Sequence, residues 1–262
     1  MIMQNEARIS PTCYTVTLFG NHLHYDSFGF ISNSSFLSFS IEGEKVIALQ
    51  VEFEQSAFDD ELFVRYEIPC PLEISQSVVE RRAEFFAGRL AAKLLLLAHG
   101  ASKKTVDINP DRSPHFPDPF TGSISHSHSQ AIVALHPKSN NPTLHVGIDI
   151  QCTLSEQEAQ DVSYLIAKQT EINVLACLGY DFRLTITLLF SSKEALFKSI
   201  FPNIHEVLEF SCVTLKAVEA DTLIYTAGEY LQGLGIQREL RCTYRWQHKE
   251  RLISIAMISN RE

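Results

Sequence analysis

Two stretches decide how this chain reads: Val146-Gly147-Ile148-Asp149-Ile150-Gln151 and Phe190-Ser191-Ser192-Lys193-Glu194-Ala195-Leu196-Phe197-Lys198. In the first, the two-residue period of a strand puts Val146, Ile148 and Ile150 on one face and Gly147, Asp149 and Gln151 on the other. Asp149 therefore sits among core-type residues while facing away from them, and an acid so placed needs a cation or several donors. Gly147 beside it permits a close approach of backbone or ligand. The second stretch reads as the opening of a helix that ends by Phe201-Pro202. Ser191 and Glu194 have capping-box spacing, and Glu194–Lys198 is a favourable i,i+4 pair. Local roles explain each acid alone. Together, two carboxylates on rigid elements suggest the halves of a divalent-metal site, for which magnesium would add water and phosphate oxygens.

Outward from these stretches, the 262 residues suffice for one large domain or two compact halves. The net charge is -9, made up of -5 over 1–145 and -4 over 146–262, so neither half has the positive field of a non-specific nucleic-acid binder. The six cysteines are dispersed and form no C-x-x-C pair, which points to reduced thiols and a cytoplasmic protein. No signal-peptide pattern occupies the first thirty residues, and Leu94–Ala98 is too short an aliphatic run to span a bilayer.

Strands are expected at Tyr14–Phe19, Phe36–Phe39, Lys45–Phe53 and Leu62–Ile68, and a helix over Ser77–Ala98 closed by His99-Gly100. The four prolines of Pro110–Pro119 impose a fixed, extended loop. Short strands at Gly122–Ser125 and Gln130–Leu135 flank a Ser-His-Ser-His turn. His136–Thr143 reads as a linker, dividing the chain into halves 1–143 and 144–262. Beyond it come strand His145–Ile150 and a helix from a Ser155 cap, with Glu158 in capping-box position, through Cys177. Strands follow at Phe210–Ala217, Leu223–Ala227, Gln237–Arg245 and Leu252–Ile258. The class is α+β. No βαβ alternation or dinucleotide fingerprint is present.

On the helix Ser77–Ala98, Arg89 and Lys93 fall within about 20° of Arg82 on either side, beside the apolar stripe of Val79, Phe86, Leu90, Leu94 and Leu97. Cations there suit an anionic ligand, or alternatively lay their stems over the core edge. Arg112, beside the stiffened Pro-rich loop, and His126, after a strand, are candidate phosphate contacts. His128 reads as a turn residue, since H-x-H without a third ligand is weak for zinc.

Five blocks in order carry a resemblance: Arg81–Arg89 (RRAEFFAGR), Arg112–Pro117 (RSPHFP), Gly122–Ser127 (GSISHS), Gly147–Ile150 (GIDI) and Phe190–Lys198 (FSSKEALFK). They resemble the 4'-phosphopantetheinyl transferases of the larger, monomeric, two-half type, in the branch serving enterobactin-type siderophore synthesis. The resemblance implies a pseudo-twofold pair of α+β halves with coenzyme A in the cleft between them. It implies magnesium-dependent transfer of the phosphopantetheine arm to a serine of an apo carrier protein, with manganese as an alternative metal. Arg82, Arg89, Lys93 and Arg112 would grip the adenosine and 3'-phosphate, and His126 and Lys198 the diphosphate. Ser125 and Ser127 would shape the turn beneath the nucleotide. Asp149 and Glu194 would hold the metal, with Gln151 as third donor, and Glu194 would be the base for the carrier serine.

Gln151 departs from the family's usual Glu, and Phe116 and Phe190 stand where Trp is common. The competing readings are a weak relative that binds coenzyme A or a carrier without transfer, and a metal-dependent phosphohydrolase or nuclease.

Overall fold

The computed structural model describes residues 14–18, 21–25, 29–138, 141, 143–248 and 250–259, with the backbone alone for 14–25. Cys13, Phe19 and the linker residues Ser139, Asn140 and Pro142 lie outside the described residues. Strands β1 (Tyr14–Leu18) and β2 (Asn21–Tyr25) form an antiparallel ribbon. The hairpin β3 (Ile31–Ile41) and β4 (Glu44–Phe53) follows, then the short helices α1 (Glu61–Arg65) and α2 (Leu72–Ser75) and the long α3 (Val79–Ala98). The Pro-rich loop carries the two-residue strands β5 (Asp107–Ile108) and β6 (Pro114–His115), and leads to the hairpin β7 (Phe120–Ser127) and β8 (Gln130–Pro137). The antiparallel sheet runs β3-β4-β8-β7.

The second half begins with β9 (His145–Cys152), followed by α4 (Glu156–Ile166), α5 (Gln169–Ala176) and α6 (Phe182–Ile204). It ends with β10 (Val213–Glu219), β11 (Thr222–Ala227), α7 (Glu229–Gly233), β12 (Glu239–Gln247) and β13 (Arg251–Ile258). Its sheet runs β10-β11-β12-β13-β9, again antiparallel. Each half thus lays one long helix on one antiparallel sheet, α3 on β4 and β8 and α6 on β9 and β13. This is the α+β arrangement expected.

Three expectations change. Leu62–Ile68 is helix and turn, not strand: the Asp59 carboxylate accepts from the Glu61 N–H at 2.8 Å, and Leu62 and Phe63 turn into an aromatic core. Phe63 meets Phe86 edge-on with centroids 5.2 Å apart. The helix expected over 155–177 is two helices, broken where Ala167 and Lys168 are extended. Its Ser155–Glu158 capping box is present. The largest change concerns α6, which begins at Phe182 and not at Ser191. Asp181 caps it, accepting from the Leu184 N–H at 2.8 Å. Ser191 and Glu194 are therefore mid-helix, and the Ser191 hydroxyl donates to Ser254 at 3.0 Å instead of capping.

Where the halves meet, the sheets' edge strands β7 and β9 lie against each other. The β7 face Thr121, Ser123, Ser125, Ser127 is buried. Thr121 Oγ accepts from the Val146 N–H at 3.4 Å, Ser123 Oγ from Ile148 at 3.1 Å and Ser127 Oγ from Cys152 at 3.4 Å. Side-chain oxygens so satisfy the outer edge of a strand whose other edge pairs with β13. Behind it, Val146, Ile148 and Ile150 join Ile132, Ala134, Ile253 and Ile255 in an apolar cluster shared by both halves.

On the other face of β9, a Cβ on Gly147 would meet the Ala195 carbonyl oxygen at 2.0 Å and the Ser199 nitrogen at 2.5 Å. The glycine lets α6 lie directly on the strand. Because those obstacles are helix backbone, Gly147→Ala should cost about 3 kcal/mol or more. A thermal melt should then drop by roughly 6–12 °C for a chain of this size.

Candidate active site

The close packing of α6 on β9 brings Lys198 to Asp149. Lys198 Nζ donates to Asp149 Oδ1 at 2.6 Å and to Ser125 Oγ at 3.0 Å, and Ser125 Oγ donates to the same Asp149 oxygen at 2.8 Å. Asp149 is only 5% exposed, and its second oxygen, Oδ2, is buried with no partner. A buried carboxylate oxygen left so, beside one that accepts two hydrogen bonds, is suited to a cation.

Glu194 stands one turn before Lys198 on α6. Burial raises its pKa above the ordinary 4.5; Lys198 opposes the shift and the charge of Asp149 adds to it. Gln151 shares a β9 face with Asp149, and its amide nitrogen donates to the Cys152 carbonyl at 3.2 Å. Two carboxylates and an amide oxygen are hard donors, suited to magnesium or manganese completed by water and phosphate. Among the described residues no cluster of three or more His, Cys, Asp or Glu could hold a metal. The free Asp149 oxygen and the oxygen-only donor set nonetheless fit a divalent cation of this type.

Beside Lys198 opens a cavity of about 420 Å³, lined by Arg112, Lys138, His145, Phe201 and His205 among others. Half one supplies its Pro-rich wall, and half two the end of α6. Arg112 adopts a left-handed backbone, φ 70°, inside a turn held by Asn109 and by Asp111, whose carboxylate accepts from the Ser113 N–H at 2.9 Å. Phe116 packs so closely on Gly122 that a Cβ there would stand 2.5 Å from the ring. Burial, with lesser contributions from Lys138 and His205, pushes His145 down to about 4, so it is neutral near pH 7. Sequence reasoning missed Lys138, His145 and His205, which lie at the ends of elements far apart in the chain and are assembled only by the fold.

The basic stripe of α3 divides. Arg89 is buried with Nη1 unpartnered and its guanidinium 5.0 Å from the centre of the Phe85 ring. Burial pulls its pKa down to about 10, against the influence of Asp107. Such a cation invites an anion. Arg82 instead donates to Asp60 at 2.8 Å and to the Ser77 carbonyl at 2.6 Å, and Lys93 to the Tyr66 carbonyl at 2.5 Å. None of the three lines the cavity. His126 is near Glu84 and Arg81, and burial lowers its pKa.

Two families of known proteins match this chain. Residues 71–136 match the 4'-phosphopantetheinyl transferase N-terminal domain, and residues 145–254 the 4'-phosphopantetheinyl transferase superfamily. Enterobactin synthase component D of Escherichia coli (strain K12) is 33% identical over 149 residues, 57% of this chain and 68% of the relative. The chain belongs to the 4'-phosphopantetheinyl transferase superfamily. Enterobactin synthase component D of Salmonella typhi is 30% identical over the same length, which is 60% of that relative. That of Shigella flexneri is 32% identical over 68% of its length. The matched stretch thus spans about three fifths to two thirds of these relatives.

Within the superfamily's second matched region, Lys193 stands apart from its neighbours. It is fully buried, donating to Glu171 and to the carbonyls of Ile166 and Phe210 at 2.7–3.1 Å. Glu171, equally buried, also accepts from the Leu215 N–H at 2.8 Å. Lys193 therefore ties α4, α5 and the turn before β10 to α6. Lys193→Ala leaves Glu171 buried without its cation and should cost about 3–5 kcal/mol in urea unfolding.

Proposed function

We propose that this chain transfers the 4'-phosphopantetheine arm of coenzyme A to a serine of an apo carrier protein, releasing adenosine 3',5'-bisphosphate. The single observation that carries the reading is the half-satisfied Asp149. One oxygen is pinned by Lys198 and Ser125, while the other is bare, within reach of the charge of the half-buried Glu194, and Lys198 itself lines a nucleotide-sized cavity. The family supports the reaction type. Similarity to enterobactin synthase component D supports a carrier of the siderophore-synthesising, nonribosomal kind.

Asp149 and Glu194, with Gln151 or water, would hold magnesium or manganese. A divalent metal supplies charge to phosphate oxygens. The rest follows from the chain's own groups. The cavity takes the adenosine end, with Arg112 and Lys138 as cations on its lining, and binding there holds the diphosphate in place. Lys198, facing both cavity and Asp149, stands where the leaving phosphate gains charge. Glu194, its proton affinity raised by burial, accepts the serine proton as the serine oxygen bonds to phosphorus and the P–O bond to the nucleotide breaks. One chain supplies both walls, which supports a monomer. Among the described residues the cysteines are free, and no helix is long and apolar enough to cross a membrane; the free thiols support a cytoplasmic setting.

The direct test is incubation with coenzyme A, magnesium and an apo aryl or peptidyl carrier, with mass spectrometry of the carrier. A phosphopantetheine-sized gain is expected. A carrier that binds without gaining mass would favour the coenzyme A-binding alternative.

Glu194 must be ionised both to hold a cation and to accept a proton, and burial favours its protonated form in the metal-free protein, so magnesium binding and transfer should both weaken as pH falls. Glu194→Gln should cost about 10²–10⁴-fold in kcat. Stability moves the other way. A carboxyl whose folded pKa is raised favours folding most below its unfolded pKa, and loses that advantage as pH climbs through the folded value. At pH 7 the Gln variant should therefore melt no lower than the parent.

Gln151→Glu adds a full charge to the donor set. It should lower the half-saturating magnesium concentration for transfer, and an unchanged value would remove Gln151 from the set.

A further inference from the structure

His145 opens β9 on the wall of the cavity, and none of the roles above uses its ring. Its Nδ1 stands 3.4 Å from the hydroxyl oxygen of Thr121, which reaches across the seam from β7. That hydroxyl is buried and already accepts from the Val146 N–H at 3.4 Å. Its own hydrogen still needs an acceptor, and among the described residues Nδ1 is the one within hydrogen-bond distance.

A neutral imidazole that accepts at Nδ1 carries its hydrogen on Nε2. Nε2 has no partner among the described residues and, unlike Arg89 Nη1, is not sealed from solvent. It is a donor open to the cavity whose wall the ring forms. The ring is uncharged near pH 7, because burial, with Lys138 and His205 adding to it, pushes its pKa down to about 4. A neutral donor rewards a phosphate less than Arg112, Lys138 and Lys198 do from the same lining, and suits an uncharged acceptor. Ile124 and Phe201 give the cavity apolar walls as well. The part of a nucleotide with apolar faces and uncharged acceptors along its edge is the base.

We infer that His145 reads the base of the nucleotide, its Nε2–H donating to a ring nitrogen of adenine, with Thr121 as the positioning residue that fixes the tautomer. The inference rests on the reading of coenzyme A as substrate and assigns to that site a side chain from half two that selects the purine. The Thr121 hydroxyl thereby serves twice, satisfying a backbone N–H of the seam and turning the imidazole hydrogen toward the ligand.

The test is calorimetry of the full chain with adenosine 3',5'-bisphosphate and with its 1-deaza, 3-deaza and 7-deaza analogues, in each of which one ring nitrogen is replaced by C–H. One analogue should bind the parent about three- to tenfold more weakly than the natural nucleotide, the worth of one neutral hydrogen bond. The other two should lose less. This series decides the matter on the parent, whatever the folding of any variant. His145→Phe should weaken the natural nucleotide by a similar factor and abolish its advantage over the discriminated analogue, while His145→Gln, which keeps a donor, should do less. In steady-state transfer His145→Phe should raise the KM for coenzyme A and leave kcat nearly unchanged. Thr121→Val should move the ¹⁵N signature of the His145 ring away from the Nε2–H form and shrink the discrimination in step; Thr121→Ser should preserve both. If the parent binds the bisphosphate but distinguishes none of the three analogues from it, or if His145→Phe keeps the discrimination, the inference fails while the functional reading stands. A parent that binds neither coenzyme A nor the bisphosphate overturns both.

Discussion

Everything in this fold that bears on chemistry depends on how two edge strands meet without forming one sheet. β7 and β9 each end a sheet, and each would otherwise present unpaired backbone groups along its outer side. The hydroxyls of Thr121, Ser123 and Ser127 accept from N–H groups of β9 and so replace a backbone ladder with side-chain bonds. A buried donor left unpaired costs about 1–3 kcal/mol, so satisfying these donors contributes to holding the halves in register. Ser125 breaks the pattern in a useful way. Its hydroxyl meets the Asp149 carboxylate instead of a backbone N–H, and the seam that joins the halves becomes a wall of the site.

The second constraint is the absence of a side chain at Gly147. The strand can carry Asp149 into the interior only because α6 sits close enough for Lys198 to reach it, and that closeness excludes even one methyl group on the strand. Gly147, Asp149 and Lys198 thus form one geometric unit. Glu194, a turn before Lys198, faces the same region, whereas Lys193, about 100° around the helix, points into the core of the second half. Two adjacent residues of one motif therefore serve separate ends, one structural and one at the site.

Much of this was legible in the sequence. The period of β9 put Asp149 on the face opposite Val146, Ile148 and Ile150, and the glycine announced a close approach. Ser155 and Glu158 announced their helix start. The beginning of α6 was hidden because Phe182–Phe190 intersperses Arg183, Thr185 and Thr187 among apolar residues without a clean helical stripe, so Ser191 looked like the first cap available. The Asp181 cap was the signal that could have corrected it. Leu62–Ile68 misled for a related reason, since a short apolar run fits strand and buried helix alike. Periodicity grouped Arg82 with Arg89 and Lys93 on one stripe of α3. Only the position of Asp60, from a different segment, shows that Arg82 is occupied. The cavity histidines His145 and His205 come from the two ends of the β9–α6 unit and meet only on folding.

The acidity of the chain and the anionic nature of its proposed substrate are reconciled locally. A net charge of -9 repels phosphate at a distance, yet the cleft gathers Arg112, Lys138 and Lys198 on its lining. Screening confines the global repulsion to roughly 8–10 Å at physiological salt, whereas partly buried cations keep most of their strength at contact. Asp149 and Glu194 would add to the repulsion if they stood alone. Lys198 offsets one oxygen of Asp149, and burial raises the pKa of Glu194. What remains uncompensated is one carboxylate oxygen at the edge of a cationic cleft. That asymmetry separates a site built to take a cation together with a phosphate from an ion pair that merely holds two elements together. A structural pair such as Lys193–Glu171 satisfies both carboxylate oxygens within the protein, whereas Asp149 satisfies only one.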